Sequence, residues 1–222
     1  MSVIAVVPAY NEEKTVADVV RGLSSVTDRV VVVDDGSTDR TGPEAGGAGA
    51  TVVRHFINRG LGAAIGTGLR RALDMGGRII VTFDADGQHR PEDVPPLIGP
   101  LSSGLADAAI GVRTLDRHLM PGSRRVANWI GNALTFSLFG LWVRDSQSGL
   151  RAFTAEAASR FDLHCDRMEV SSEIVREIRR HSLRLHEHPI RPVYTSYSLS
   201  KGQGFVVGLK TAGRLVFHRV IR

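Results

Sequence analysis

Short apolar runs, several ending at a polar or acidic cluster and separated by helix-spaced stretches, constrain this chain more than any other feature. Residues 3–7 run into Pro8, residues 30–33 into Asp34-Asp35-Gly36-Ser37, and residues 78–83 into Asp84-Ala85-Asp86; residues 50–54 form a further short run. Unbroken β-branched runs of this length read as strands buried on both faces. Between them, residues 12–26 carry Val16, Val19, Val20 and Leu23 at helical spacing, with Asn11 placed to cap the first turn. Residues 60–75 repeat Leu61, Ile65, Leu69 and Leu73 at every fourth position. Residues 42–50, rich in Gly and Ala, read as a short helix and a turn. The alternation predicts an α/β fold with a mostly parallel sheet covered on both faces. In such sheets the chemistry lies beyond the carboxyl ends of the strands, so the polar clusters should converge on one cleft.

The second half is less regular. Residues 91–101 and 173–180 read as helices, 106–111 and 183–190 as strands, and 123–141 as a long apolar helical segment. Residues 192–204 read as a polar loop and 205–221 as a helix. The 222 residues suit one domain. Within it, residues 1–111 and 112–222 form two expected halves, the second with a C-terminal amphipathic helix. Phe205, Leu209, Ala212, Val216 and Val220 would share one face of that helix. Lys210, Arg214, Arg219 and Arg222 would supply positive charge for a membrane surface or a membrane-protein partner.

Composition narrows the function. Lys and Arg number 28 against 23 Asp and Glu, a formal charge of +5 that suits an anionic substrate or surface. No helix-turn-helix, zinc finger or interleaved RNA-binding aromatics appear, so nucleic acid is not an expected partner. Cys165 is the single cysteine, which excludes an intrachain disulfide and a cysteine-based metal site. The chain enters a strand pattern at Val3 with no basic leader and never reaches 18 uncharged apolar residues, a length needed to span a bilayer. The expectation is a cytoplasmic protein, peripheral on the cytoplasmic face of the membrane, with self-association left open.

Asp84-Ala85-Asp86 carries the strongest local signal. Carboxylates two residues apart can face one hard cation, and Mg²⁺ or Mn²⁺ would bridge them to a diphosphate. Gln88 and His89 follow within reach. A solvated turn with incidental acids is the bland alternative. Asp34-Asp35 could accept hydrogen bonds from a base or ribose, or merely cap a turn. Asp145-Ser146-Gln147-Ser148-Gly149-Leu150-Arg151 is a polar island whose arginine suits two-pronged contact with phosphate oxygens. Gly60, Gly62 and Gly66 do not spell a dinucleotide fingerprint.

In order along the chain, Val7-Pro8-Ala9-Tyr10-Asn11-Glu12, Val33-Asp34-Asp35-Gly36-Ser37-Thr38-Asp39, Asn58-Arg59-Gly60-Leu61-Gly62, Asp84-Ala85-Asp86-Gly87-Gln88-His89, Ser148-Gly149-Leu150-Arg151-Ala152 and Glu173-Ile174-Val175 with Glu187 and Pro189-Ile190 resemble the inverting family-2 glycosyltransferases. Within these, the resemblance is to the dolichyl- and polyprenyl-phosphate sugar synthases. It implies a nucleotide-diphospho-sugar transferase (GT-A, Rossmann-like) fold. It also implies that Pro8, Ala9, Tyr10, Glu12 and Asp35 line a nucleotide pocket with Asp34 beside them, and that Asp84, Asp86 and Gln88 hold Mg²⁺ or Mn²⁺ on the donor diphosphate. Arg151 would contact the donor diphosphate or the acceptor phosphate, and Arg113 and Arg125 (or Arg124) would lie on the acceptor side. Asp145 precedes the Ser-Gly-Leu-Arg segment as in those relatives, and Lys201 stands where they carry a phosphate-binding Ser-Lys. The implied reaction moves a sugar with inversion from a nucleotide sugar to a polyprenyl phosphate. Extension of a glycan acceptor is the alternative, and there Asp145 or Glu173 would be needed as base.

Overall fold

A computed structural model describes residues 2–113, 132–133, 136–137, 140–167, 169–191 and 193. Arg125, Lys201 and the C-terminal amphipathic helix expected over 205–221 lie outside the described residues. In chain order the elements are β1 (Val3–Ala9), α1 (Val16–Ser24), β2 (Arg29–Asp34), α2 (Thr41–Gly47), β3 (Thr51–Arg54), α3 (Leu61–Asp74) and β4 (Ile79–Thr82). A 3₁₀ turn (Pro91–Asp93) leads into α4 (Val94–Ser102), followed by β5 (Ala108–Arg113), β6 (Arg151–Thr154), α5 (Ala155–Ser159), α6 (Val170–Arg180) and β7 (Leu185–Ile190).

Seven strands form one sheet in the order β3-β2-β1-β4-β6-β5-β7. β1 pairs in parallel with β2 and β4, β2 with β3, and β5 with β7. β6 alone runs antiparallel, wedged between β4 and β5. Successive side chains of a strand point to opposite faces. On β1, Ala5 and Val7 accordingly pack with Val16, Val20 and Leu23 of α1 and Leu97 of α4, while Ile4 and Val6 pack with Ile65 and Leu69 of α3 and Ile174 of α6. Two buried faces are why the strand runs are continuously apolar rather than alternating. The glycines of α3 serve the same packing: a Cβ on Gly68 would collide with Val6.

Two expectations need correction. The first helix begins at Val16, not Glu12, and Asn11 does not cap it. Asn11 takes φ 55°, and its side-chain oxygen accepts the Thr38 N–H at 2.9 Å. That bond ties the β1–α1 loop to the loop after β2, a cross-chain partner that local spacing cannot reveal. Residues 42–50 do hold the expected short helix and turn, with α2 ending at Gly47. The polar island before Ala152 hides a strand, because Arg151-Ala152-Phe153-Thr154 is β6. Four residues led by a buried arginine carry no readable period.

Candidate functional site

β1, β2, β3 and β4 are parallel, so their carboxyl ends share one edge. β6 is reversed, so its first residue, Arg151, lies at that same edge, paired with Thr82 at the end of β4. Pro8, Thr82, Asp84, Gly149, Arg151 and Ser171 line one cleft there.

Asp84 follows β4 directly. Its carboxylate is 37% exposed and faces His89 Nε2 at 3.3 Å. It lies flat against Gly149, where a Cβ would fall on the carboxyl carbon and both oxygens. The Gly149 backbone is fixed in turn, because its carbonyl accepts the Thr82 hydroxyl at 2.9 Å. Burial raises the Asp84 pKa, but the His89 hydrogen bond and the charges of His89, Arg151 and Arg113 outweigh it and hold the pKa below the ordinary value. Asp86 is pushed the other way, first by burial and then by the neighbouring Asp84 charge. Gln88 closes onto Asp86, donating its backbone N–H at 3.0 Å and its side-chain amide. His89 is buried edge-on against Phe83, with ring centroids 5.6 Å apart.

Among the described residues, no three His, Cys, Asp or Glu side chains come together as a metal cage. Two close carboxylates and an amide, with the Asp86 pKa raised by burial and by the Asp84 charge, nevertheless suit a hard divalent cation that takes its remaining ligands from substrate phosphates. The donor set therefore fits Mg²⁺ or Mn²⁺.

Arg151 is fully buried. One guanidinium nitrogen donates to the Ser146 carbonyl at 3.2 Å, and Nε has no partner among the described residues. Burial lowers its pKa to about 10, against the attraction of Asp84 and Asp145. It remains a cation at neutral pH.

Asp145 is held in a two-pronged pair with Arg113, at 2.7 Å from both Nε and Nη2, and also accepts the Arg113 N–H at 3.2 Å. Glu173, on α6, accepts the N–H groups of His164 and Cys165 at 3.0 and 2.8 Å and pairs with Arg176 at 3.0 Å. Both acids are thus engaged by their own chain.

The nucleotide-side residues divide. Pro8 lines the cleft, and Tyr10 stands 44% exposed just after β1. Ala9 is buried, and its carbonyl accepts the Asp35 N–H at 2.9 Å. The Glu12 N–H donates to the Thr41 hydroxyl at 2.7 Å. Asp34 is buried, accepts the Ser37 N–H at 2.9 Å and lies 3.5 Å from Arg54. Asp35 holds the β3–α3 loop: its carboxylate accepts the N–H groups of Arg59 and Gly60 at 2.9 and 2.7 Å and meets His55 Nδ1 at 2.7 Å.

These three bonds change what substitution should do. Asp35→Ala is expected to cost about 2–4 kcal/mol of stability, because it orphans buried donors. Urea unfolding checks this, and an unchanged midpoint would leave Asp35 free for the nucleotide-pocket role that the resemblance implies.

Sequence reasoning missed Gly149, the seat of Asp84, although it marked the segment for its arginine. It also missed Thr82 and Ser171, which no local pattern distinguishes from core positions.

The model of a family described as glycosyl transferase family 2 matches residues 4–159. A protein of uncharacterized function from Methanocaldococcus jannaschii is 44% identical over 98% of this chain and 92% of its own length. A UDP-N-acetylglucosamine–dolichyl-phosphate N-acetylglucosaminyltransferase from Methanococcus voltae is 34% identical over 97% of this chain and 95% of its own. An undecaprenyl-phosphate mannosyltransferase from Micrococcus luteus is 31% identical over 94% and 90%. Among solved structures, glucosyl-3-phosphoglycerate synthase from Mycobacterium tuberculosis, crystallised with Mn²⁺, uridine-diphosphate-glucose and phosphoglyceric acid, superposes with a TM-score of 0.76. At 23% identity, over 97% of this chain and 77% of that one, that likeness shows the GT-A-like fold. With the family match and these relatives in hand, the chain belongs to glycosyl transferase family 2 and is related to its dolichyl- and polyprenyl-phosphate sugar transferases.

Proposed function

We propose that the protein moves a sugar, with inversion, from a UDP- or GDP-linked donor to a polyprenyl phosphate. One observation carries the choice of acceptor. Asp145 and Glu173, the acids available to deprotonate a hydroxyl acceptor, are occupied by Arg113 and by α6 with its neighbouring loop, whereas Arg151 lines the cleft and has a buried Nε with no partner among the described residues. A phosphate acceptor is already a nucleophile and needs no base; it needs cations that bring two anions together. Two relatives above 30% identity are named for transfer to dolichyl and undecaprenyl phosphate, which supports the same reading.

Asp84 and Asp86, with Gln88, would hold Mg²⁺ or Mn²⁺, which supplies charge stabilisation on the leaving diphosphate. Asp84 stays ionised, fixed in place by His89 and Gly149. Arg151 orients the phosphate oxygens, and its burial makes each of its bonds stronger than in water. Residues 1–111 would serve the donor and 112–222 the acceptor.

Incubation with a panel of nucleotide sugars, with and without Mn²⁺, tests this. The expected result is sugar partitioning into organic solvent only when polyprenyl phosphate and metal are both present. Transfer to glycan hydroxyls alone would overturn it.

The metal assignment has a separate thermodynamic signature. A carboxyl with a raised pKa in the folded state costs stability as pH rises from its unfolded value, 3.8, through the folded one. Asp86→Asn should therefore melt higher than wild type in chelator at neutral pH, lose that advantage in acid, and gain nothing from added Mn²⁺. A metal-dependent rise in the variant's melting temperature equal to wild type's would remove Asp86 from the ligand set.

A further inference from the structure

The loop between β3 and α3 lifts two large apolar side chains into solvent. Phe56 is fully exposed and Ile57 is 71% exposed, and Arg54 and Arg59 on either side are exposed as well. A loose loop could fold such side chains back, but this one is braced. The His55 N–H donates to the Asp34 carbonyl at 2.9 Å, and His55 Nε2 meets the Thr67 hydroxyl at 3.0 Å. Asp35 grips both the His55 ring and the amides of Arg59 and Gly60. Gly36, at φ 73°, lies against the backbone of Ile57 and Asn58, where any side chain would collide. The loop follows the carboxyl end of β3, so its tip stands on the sheet edge that carries Asp84 and Arg151.

We propose that Phe56 and Ile57 form a rigid tip that seats in the interfacial layer of an anionic lipid bilayer, with Arg54 and Arg59 on the headgroup phosphates. Size and charge select this occupant. Two side chains offer at most about 400 Å², half of the roughly 800 Å² per partner that a stable protein interface buries. Shallow insertion of a few apolar side chains flanked by cations is what a bilayer interface accepts. The tip gives the site a contact with the membrane that is independent of the sugar. It extends the lipid-phosphate reading, but vesicle binding is measured without either substrate and so can hold or fail separately from it.

The test is co-sedimentation of the full chain at low salt with vesicles of phosphatidylglycerol and phosphatidylcholine in equal parts. The double variant Phe56→Ser/Ile57→Ser should partition about tenfold less than wild type, given the apolar surface removed. Its melting temperature and donor hydrolysis should be unchanged. In Phe56→Trp the added tryptophan emission should shift to the blue on mixing with vesicles and be quenched by brominated acyl chains. Wild-type partitioning of the double variant, or a Phe56→Trp spectrum indifferent to vesicles, would overturn the proposal. So would an oligomeric wild type beside a monomeric double variant, which would assign the tip to a second copy of the chain.

Discussion

Arg151→Ala is expected to lower kcat by about 10²–10³-fold, the usual loss when one preorganised donor to developing charge is removed, and Arg151→Lys is expected to do nearly as much damage. The guanidinium is buried, feels the charges of Asp84 and Asp145, and has an Nε with no partner among the described residues. A lysine reaches the same place with a point charge and no planar fork. It also starts from an ordinary pKa of about 10.4, so burial that brings the arginine to about 10 would bring the lysine closer to neutrality. Residual Arg151→Lys turnover should consequently fall as pH rises above neutral, while the wild type holds. Arg151→Met controls for lost volume. Steady-state rates with saturating donor, alongside donor affinity by calorimetry, separate transition-state loss from binding loss. A lysine variant within a few-fold of wild type across that pH range would reduce Arg151 to a screening charge.

Gly149→Ala is expected to abolish most turnover without abolishing the fold. The added methyl would sit on the Asp84 carboxylate, and the Gly149 backbone cannot retreat without breaking the bond from Thr82. Overpacking of this kind costs about 1–3 kcal/mol, small enough to leave a folded protein. Yet Asp84 must swing away, and with it one arm of the proposed metal site. Loss on the order of 10²-fold in turnover is expected, accompanied by weaker Mn²⁺ binding measured by calorimetry. Gly46→Ala is the matched control: it meets only Val52 at an ordinary 3.7 Å and should be silent or slightly stabilising. Retained Mn²⁺ affinity in Gly149→Ala would show that Asp84 is not held where it is needed.

The parts of this molecule that could be read from the chain are those whose meaning is local. The strands β1, β2 and β4 announce themselves because both faces are buried, which forces Val and Ile into unbroken runs. α3 shows its leucine and isoleucine spacing because one face packs on the sheet while the other stays in solvent. Asp84 was legible because it follows such a run. Asp35 marks where that style of reading stops: its position after β2 says carboxylate at a cleft, but its partners His55, Arg59 and Gly60 come from the loop after β3. Asp145 and Glu173 repeat the lesson. Each looks like a free acid until Arg113 and the His164–Cys165 backbone are brought to it by the sheet and by α6. β6 was missed because a four-residue strand opening with a charged side chain has no alternation to read.

The Arg113–Asp145 pair joins the residue that ends β5 to one 32 positions later, just before the chain returns through Arg151. Both stems of that excursion are thereby buttoned together at the sheet edge, whatever is threaded between them. Part of the stretch between them is tied down as well: Val143 is buried in the core, Asn132 donates to the Arg144 carbonyl and accepts the Ser146 N–H, and the Arg144 N–H donates to Glu187. Replacing Asp145 by Asn should therefore loosen both stems at once and leave the Arg113 charge poorly matched, which a lower melting temperature would show.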